Sequence, residues 1–188
     1  MKFNFYAIRA IYLHEMDRFR RTLLQSLLSP VLSTSLYFIV FGSVIGDYVE
    51  SIDGLSYGSY IVPGLLMLTL LTQSISNTSF GIFFPKFNGT IYEILAAPIS
   101  TFEVVLAFVG AGATKTLIVG VVIFVTSLFF VDVTVKYPLL MIFLLVLVAF
   151  TFALFGFLIG LMSSNFEQMS IVPTLSLIHI SEPTRLQQ

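Results

Sequence analysis

Four runs of this chain are almost free of charge, and they constrain its fold more than any other feature. Residues 22–46, 54–85 and 137–166 hold no Asp, Glu, Lys or Arg, and residues 104–131 hold Lys115 alone. A helix rises about 1.5 Å per residue and a bilayer core needs about 20 apolar residues, so each run is long enough to cross. The reading places spans near 23–45, 60–84, 104–130 and 138–162, with a fifth starting from 169. A soluble domain is the competing reading, and it fails on quantity. Hydrophobic residues make up 57% of the 188 and charged residues 10%, with mean hydropathy +0.98. Soluble domains are about 25% charged, and a globule this size leaves too much surface in water for such a composition. Disorder needs the opposite balance, low hydrophobicity with high charge. The expected fold class is therefore all-α: a polytopic membrane helix bundle of about four complete transmembrane helices plus the start of a fifth.

Charge sets the expected orientation. Lys2, Arg9, Arg18, Arg20 and Arg21 precede the first span, while Asp47, Glu50 and Asp53 follow it without Lys or Arg. The positive-inside rule then puts the N-terminus in the cytoplasm. Tyr48, Tyr57, Tyr60 and Tyr137 fall at the expected outer ends, where aromatic rings prefer the interface. The first apolar run is too long for a signal-peptide core and begins after about twenty polar-rich residues. With no cysteine, disulfides and thiolate metal sites are excluded. A formal net charge of -1 offers no basic face for nucleic acid.

Residues 1–22 read as an amphipathic helix. Phe5, Ile8, Tyr12, Met16, Phe19 and Leu23 recur at helical spacing, with Arg9, Asp17, Arg20 and Arg21 off that stripe. An interfacial placement, apolar side in lipid and arginines near phosphates, suits this pattern. Packing against the bundle is the other placement.

The segment between the second and third spans is the most informative. Pro85 is expected to end the second span. Thr90 with Glu93, and Ser100 with Glu103, each match the S/T-x-x-E capping box. They predict a short helix starting at Ile91 and stopped by Pro98, then a fresh start for the third span. Ile91, Ile94 and Leu95 give the short helix one apolar side. A helix this short is unstable alone in water and must dock on something. Spacing leaves open whether that is a partner or its own bundle and lipid.

Inside the expected spans, Lys115 is the single ionisable group, and intramembrane charge commonly marks a pathway or a buried pair. It also lies about three turns from Glu103, within reach of snorkelling to the interface, which is the favoured reading. Thr69, Gln73, Ser76 and Asn77 form a polar stripe on the second span that should face other helices or a pathway. Pro63-Gly64 lies near the outer end of that span, a candidate gate. Gly110-Ala-Gly-Ala113 and the pair Gly156 and Gly160 permit close helix approach. His14 has Glu15 and Asp17 nearby but no second histidine to complete a metal site. No Gly-rich Lys-Ser/Thr loop is present, so ATP binding by a P-loop is not expected of this chain.

The order of these features resembles the ABC-2 type permease family, the membrane subunits of bacterial ATP-binding-cassette exporters. Tyr37-Phe-Ile-Val-Phe-Gly42, Tyr60-Ile-Val-Pro-Gly64 and Gly89-Thr-Ile-Tyr-Glu-Ile-Leu-Ala-Ala-Pro-Ile-Ser100 carry the resemblance, and Val172-Pro-Thr174 resembles the family's entry into a fifth span. The resemblance covers about residues 1–174, a partial domain, since family members have six spans. It implies an interfacial N-terminal helix and a cytoplasmic coupling helix that contacts a separate ATPase through Gly89, Thr90, Tyr92, Glu93, Ile94, Leu95 and Pro98. It also implies a pathway or gate to which Pro63, Gly64, Gln73, Asn77 and Lys115 are the candidates. The chain itself would need no cofactor, with ATP and Mg held by the partner ATPase. A second permease chain and the bilayer would be its other partners, the inner membrane its location, and a drug, lipid-linked saccharide or polysaccharide its substrate. Residues 175–188 contain Leu-Ser-Leu-Ile-His-Ile-Ser-Glu-Pro-Thr-Arg, which resembles the translated sequence of a transposase sequencing adapter, and are expected to be a non-native tail. Two other classes compete: an integral-membrane enzyme or scaffold, for which Lys115 alone is meagre chemistry, and a secondary transporter, for which no internal repeat is visible.

Overall fold

The computed structural model describes residues 3–45, 56–131 and 135–169. The acidic loop with Tyr48, the fifth span beyond 169 and the tail at 175–188 lie outside them. Among the described residues the secondary structure is helical: α1 (Phe5–Arg21), α2 (Leu23–Tyr37) continuing as a π-helical stretch (Phe38–Ile45), α3 (Tyr57–Asn88), α4 (Ile91–Ala96), α5 (Thr101–Ser127) and α6 (Pro138–Met162). Four are long and apolar enough to cross a membrane: Leu23–Phe41, Tyr57–Asn88, Thr101–Ser127 and Pro138–Met162. At about 1.5 Å per residue, α3 is about 48 Å long and exceeds a hydrocarbon core of about 30 Å.

One proline behaves differently from expectation. Pro85 does not end α3; the helix runs on to Asn88 and stops at Gly89, whose φ of 81° is the left-handed conformation that favours glycine. Pro63 lies in the second turn of α3, near the helix end as expected, and Pro30 lies inside α2. Membrane helices tolerate this because neighbours satisfy the freed backbone groups.

Small residues set the seams. The α3–α5 contact needs Gly112, where a Cβ would fall 1.9 Å from Thr78 Oγ1, and Gly120, where it would fall 2.8 Å from Leu70. The α3–α6 contact needs Gly156 and Gly160, whose added Cβ atoms would reach the backbone oxygens of Ile75 and Ser79 at 2.5 and 2.6 Å. Lipid tails are as apolar as leucine, so such close approach, with its dispersion gain, is what holds membrane helices together. Ser74 Oγ adds a buried bond, donating to the Ala149 carbonyl at 2.6 Å.

Lys86 closes the end of α6. Its Nζ donates to the carbonyls of Leu161 (2.7 Å) and Ser163 (2.8 Å), placing a cation at the negative end of the helix dipole. Phe166 packs edge-on against Phe83 and Phe87, each at 5.0 Å. Lys86→Met is expected to lower stability by about 1 kcal/mol. Thermal unfolding in detergent followed by circular dichroism checks this, and an unchanged midpoint would mean water replaces the ammonium without loss.

Candidate functional site

Two neighbouring features at the α4 end of the bundle bring the chemistry together. The first is α4 itself. Gly89 breaks α3, and Ser100 opens α5 with a complete capping box. Ser100 Oγ accepts from Glu103 N (3.3 Å), and Ser100 N donates to Glu103 Oε2 (2.7 Å). The box expected at Thr90 and Glu93 does not form. Thr90 is in helical conformation, and its hydroxyl donates to the Pro85 carbonyl at 3.4 Å. An N-cap needs extended backbone there, and Thr90 has φ -65° and ψ -13° instead.

Between those boundaries α4 has two different sides. Ile91 and Ile94 pack on the core cluster of Ile82, Val104, Phe108 and Phe157. Tyr92 (73% exposed), Glu93 and Leu95 (68% exposed) face outward. Leu95 borders the recess behind α4 without packing on that cluster, and Ile94 is turned toward the bundle. Pro98 is exposed beyond the helix end. An apolar recess of about 590 Å³ lies behind α4, bordered by Ile94, Ile99, Val105, Leu154 and Leu158.

The second feature is the N-terminal helix and what it carries to α5. The Asn4 amide donates to Glu103, Tyr12 Oη to Thr114 Oγ1 (3.1 Å), and Lys115 Nζ to Glu15 Oε2 (2.7 Å). Residues 4, 12 and 15 thus meet 103, 114 and 115, a nearly constant offset, so α1 runs alongside α5 in the same direction. Leu27 of α2 packs on the cluster of Leu66, Leu70, Val119 and Ile123, and Phe38 stacks on Phe130. The docked side of α1 follows the expected stripe through Ile8, Tyr12, Met16 and Phe19, which are half-buried or buried, and takes in Glu15 as well. Glu15 and Phe19 are its buried residues, while Phe5, Tyr6 and Leu13 are exposed.

Lys115 is therefore neither snorkelled nor free. It is 3% exposed and paired with Glu15, which is 1% exposed and also accepts from Arg18 at 2.8 Å. Gly81 makes the room: a Cβ there would come within 3.3 Å of the carboxylate. Glu15 is the residue that sequence reasoning missed. Its signal was an acid four residues before Phe19 and three after Tyr12, on the face that docks. His14, by contrast, is exposed and 4.0 Å from the same carboxylate.

The polar stripe of α3 faces α2. Thr69, Thr72 and Gln73 border a groove with Ser29, Ser33, Thr34 and Tyr37. Ser76 and Asn77 border a cleft with Arg18 and Lys115, and Asn77 Nδ2 donates to Thr116 at 3.4 Å. The serines of α2 were not anticipated, although Ser26, Ser29 and Ser33 recur at helical spacing. Pro63 and Gly64 lie apart from this. Pro63 borders an apolar cavity of about 420 Å³ with Val62, Phe124, Tyr137 and Leu144, toward the other end of the bundle. Gly64 is open, with nothing within 4 Å of an added Cβ.

Comparison with known proteins bears on what this arrangement serves. The profile of a family described as ABC-2 type transporter matches residues 6–180. The inner membrane transport permease YadH of Escherichia coli (strain K12) is 38% identical over 171 residues, covering 91% of this chain and 67% of the relative. The proteins of the same name from Escherichia coli O157:H7 and Shigella flexneri match with the same identity and coverage. No solved structure gives a significant match.

Proposed function

This chain belongs to the ABC-2 type transporter family, a multi-pass bacterial inner-membrane permease, and on that premise we propose that it is the pathway-forming subunit of an exporter driven by a separate ATPase. The N-terminus lies in the cytoplasm, in keeping with the arginines of α1 and the acids of the first loop. That orientation puts α4 on the cytoplasmic side, where an ATPase subunit closes on ATP with Mg and reopens after hydrolysis. A second permease chain, identical or different, completes the pathway.

The observation that carries this reading is the two-sided α4. Ile91 and Ile94 tie it to α3 and α5, so displacement of α4 is passed to two spans. Tyr92, Glu93 and Leu95 are left for a partner surface. ATP shifts the conformational balance only through contacts that differ between the two states, and α4 is a rigid place to make them. The groove between α2 and α3 mixes hydroxyls and an amide with leucines, which suits a substrate with both polar and apolar parts. A drug, a lipid-linked saccharide or a polysaccharide is the proposed substrate.

A cross-link tests the reading. Tyr92→Cys, in a chain with no cysteine, is expected to join a P-loop ATPase in native membranes under a bismaleimide, and Tyr137→Cys at the opposite end is not. Glu93→Arg is expected to reduce copurified ATPase by about tenfold, the scale of one lost charged contact. No ATPase adduct from Tyr92, or equal adducts from both ends, would sink the assignment.

A further inference from the structure

The ion cluster on α1 and α5 is not charge-balanced. Glu15 Oε2 accepts from both Lys115 and Arg18, at 2.7 and 2.8 Å. One carboxylate thus faces two cations, and one positive charge is left over. Arg18 keeps a third of its side chain at the surface, so the surplus charge is open to an incoming anion. The surplus has a definite address. Arg18 and Lys115 both border the cleft of about 180 Å³ between α1, α2, α3 and α5, whereas Glu15 does not border it. The carboxylate sits behind the cations, against Gly81.

The remaining polar lining is neutral: Thr22, Ser26, Ser76 and Asn77. Hydroxyls and a carboxamide donate hydrogen bonds without adding negative charge. The volume is well above the ~10–15 Å³ that one water needs. Phe80, 47% exposed, forms an apolar lip. From these observations we propose that the cleft binds an anionic phosphate group carried by an amphiphile, held between the Arg18 guanidinium and the Lys115 ammonium. Arginine matches phosphate oxygens with paired donors, and lysine supplies a point charge. The apolar lip suits the chain attached to such a headgroup. The site stands whether or not the chain is an exporter subunit.

The same phosphate chemistry comes from a lipid headgroup or from inorganic phosphate, and the test separates them. The full chain in neutral detergent is titrated with phosphatidylglycerol, with phosphatidylcholine, and with sodium phosphate against sodium chloride at equal ionic strength. Thermal unfolding by circular dichroism is the readout, because a ligand of the folded state raises the midpoint. Phosphatidylglycerol is expected to raise it and phosphatidylcholine is not. A matching rise with inorganic phosphate would show that the phosphate group alone suffices. A rise with phosphatidylglycerol only would show that the attached chain is needed. Arg18→Gln is expected to weaken binding by about tenfold, while Arg9→Gln, altering an exposed arginine outside the cleft, leaves it unchanged. Arg18→Gln keeps the Glu15–Lys115 pair. Should it fail to fold, Asn77→Leu carries the same test by removing a neutral donor. No rise with either phosphate source, or equal binding by the cleft variants and the wild type, would overturn the proposal.

Discussion

Glu15→Leu is expected to destabilise the protein by about 3–5 kcal/mol, the cost of leaving one member of a buried ion pair unpaired. Lys115, at 3% exposure, would lose its carboxylate with no other acid among its bonded partners. Arg18 would lose the same partner, but a third of its side chain already reaches the surface. Adding Lys115→Met should recover most of the loss, because matched apolar groups replace such pairs at little cost. Chemical unfolding in detergent of the two single variants and the double variant gives the coupling directly. Additive losses would mean that the pair contributes nothing as a pair. A different outcome would return Lys115 to the pathway: a stable Lys115→Met protein that no longer transports. The pair matters for function because it fastens α1 to the middle of α5. Losing it would free the N-terminal helix from the span that Ser100 and Glu103 start beside α4.

Where the sequence was legible, the physics was local or needed only composition. Exclusion of charge from long runs marks helices that can cross a bilayer, whatever they pack against, so the four long helices could be expected. Ser100 and Glu103 lie three residues apart and close their box without help. Thr90 and Glu93 have the same spacing but opposite fate. Gly89 ends α3 in a left-handed turn, and the backbone at Thr90 enters α4 already helical. That depends on how two helices meet, which a four-residue pattern does not contain. Pro85 misled for a related reason: its missing donor costs less in a bundle than in an isolated helix. Glu15 and Lys115 are separated by 100 positions, and nothing in either neighbourhood names the other. Their pairing exists only once α1 lies along α5. The serines of α2 needed only the helical spacing of Ser26, Ser29 and Ser33 to be seen, but their role as the far wall of the α3 stripe needed the fold.

Gly156→Ala is expected to cost about 2–3 kcal/mol net, despite alanine's advantage of about 1 kcal/mol in helix propensity. The added carbon would lie 2.5 Å from the Ile75 carbonyl oxygen and 2.8 Å from its Cα. These are backbone atoms of α3, so no rotamer change relieves the contact, and α6 must move away along its length. That movement would also stretch the bond from Ser74 to Ala149 and loosen the packing of Ala149 and Ala153. Gly160→Ala meets the Ser79 backbone in the same way, and the double variant should cost more than either alone. Gly64→Ala is the control. With nothing within 4 Å of its new carbon, it carries only the propensity gain and should leave stability unchanged or slightly raised. Thermal midpoints of these variants in one detergent decide the matter. Equal behaviour of Gly156→Ala and Gly64→Ala would mean that the α3–α6 seam is not held by close backbone approach. A selective loss at Gly156 would show that the α3–α6 seam depends on close backbone approach at this position.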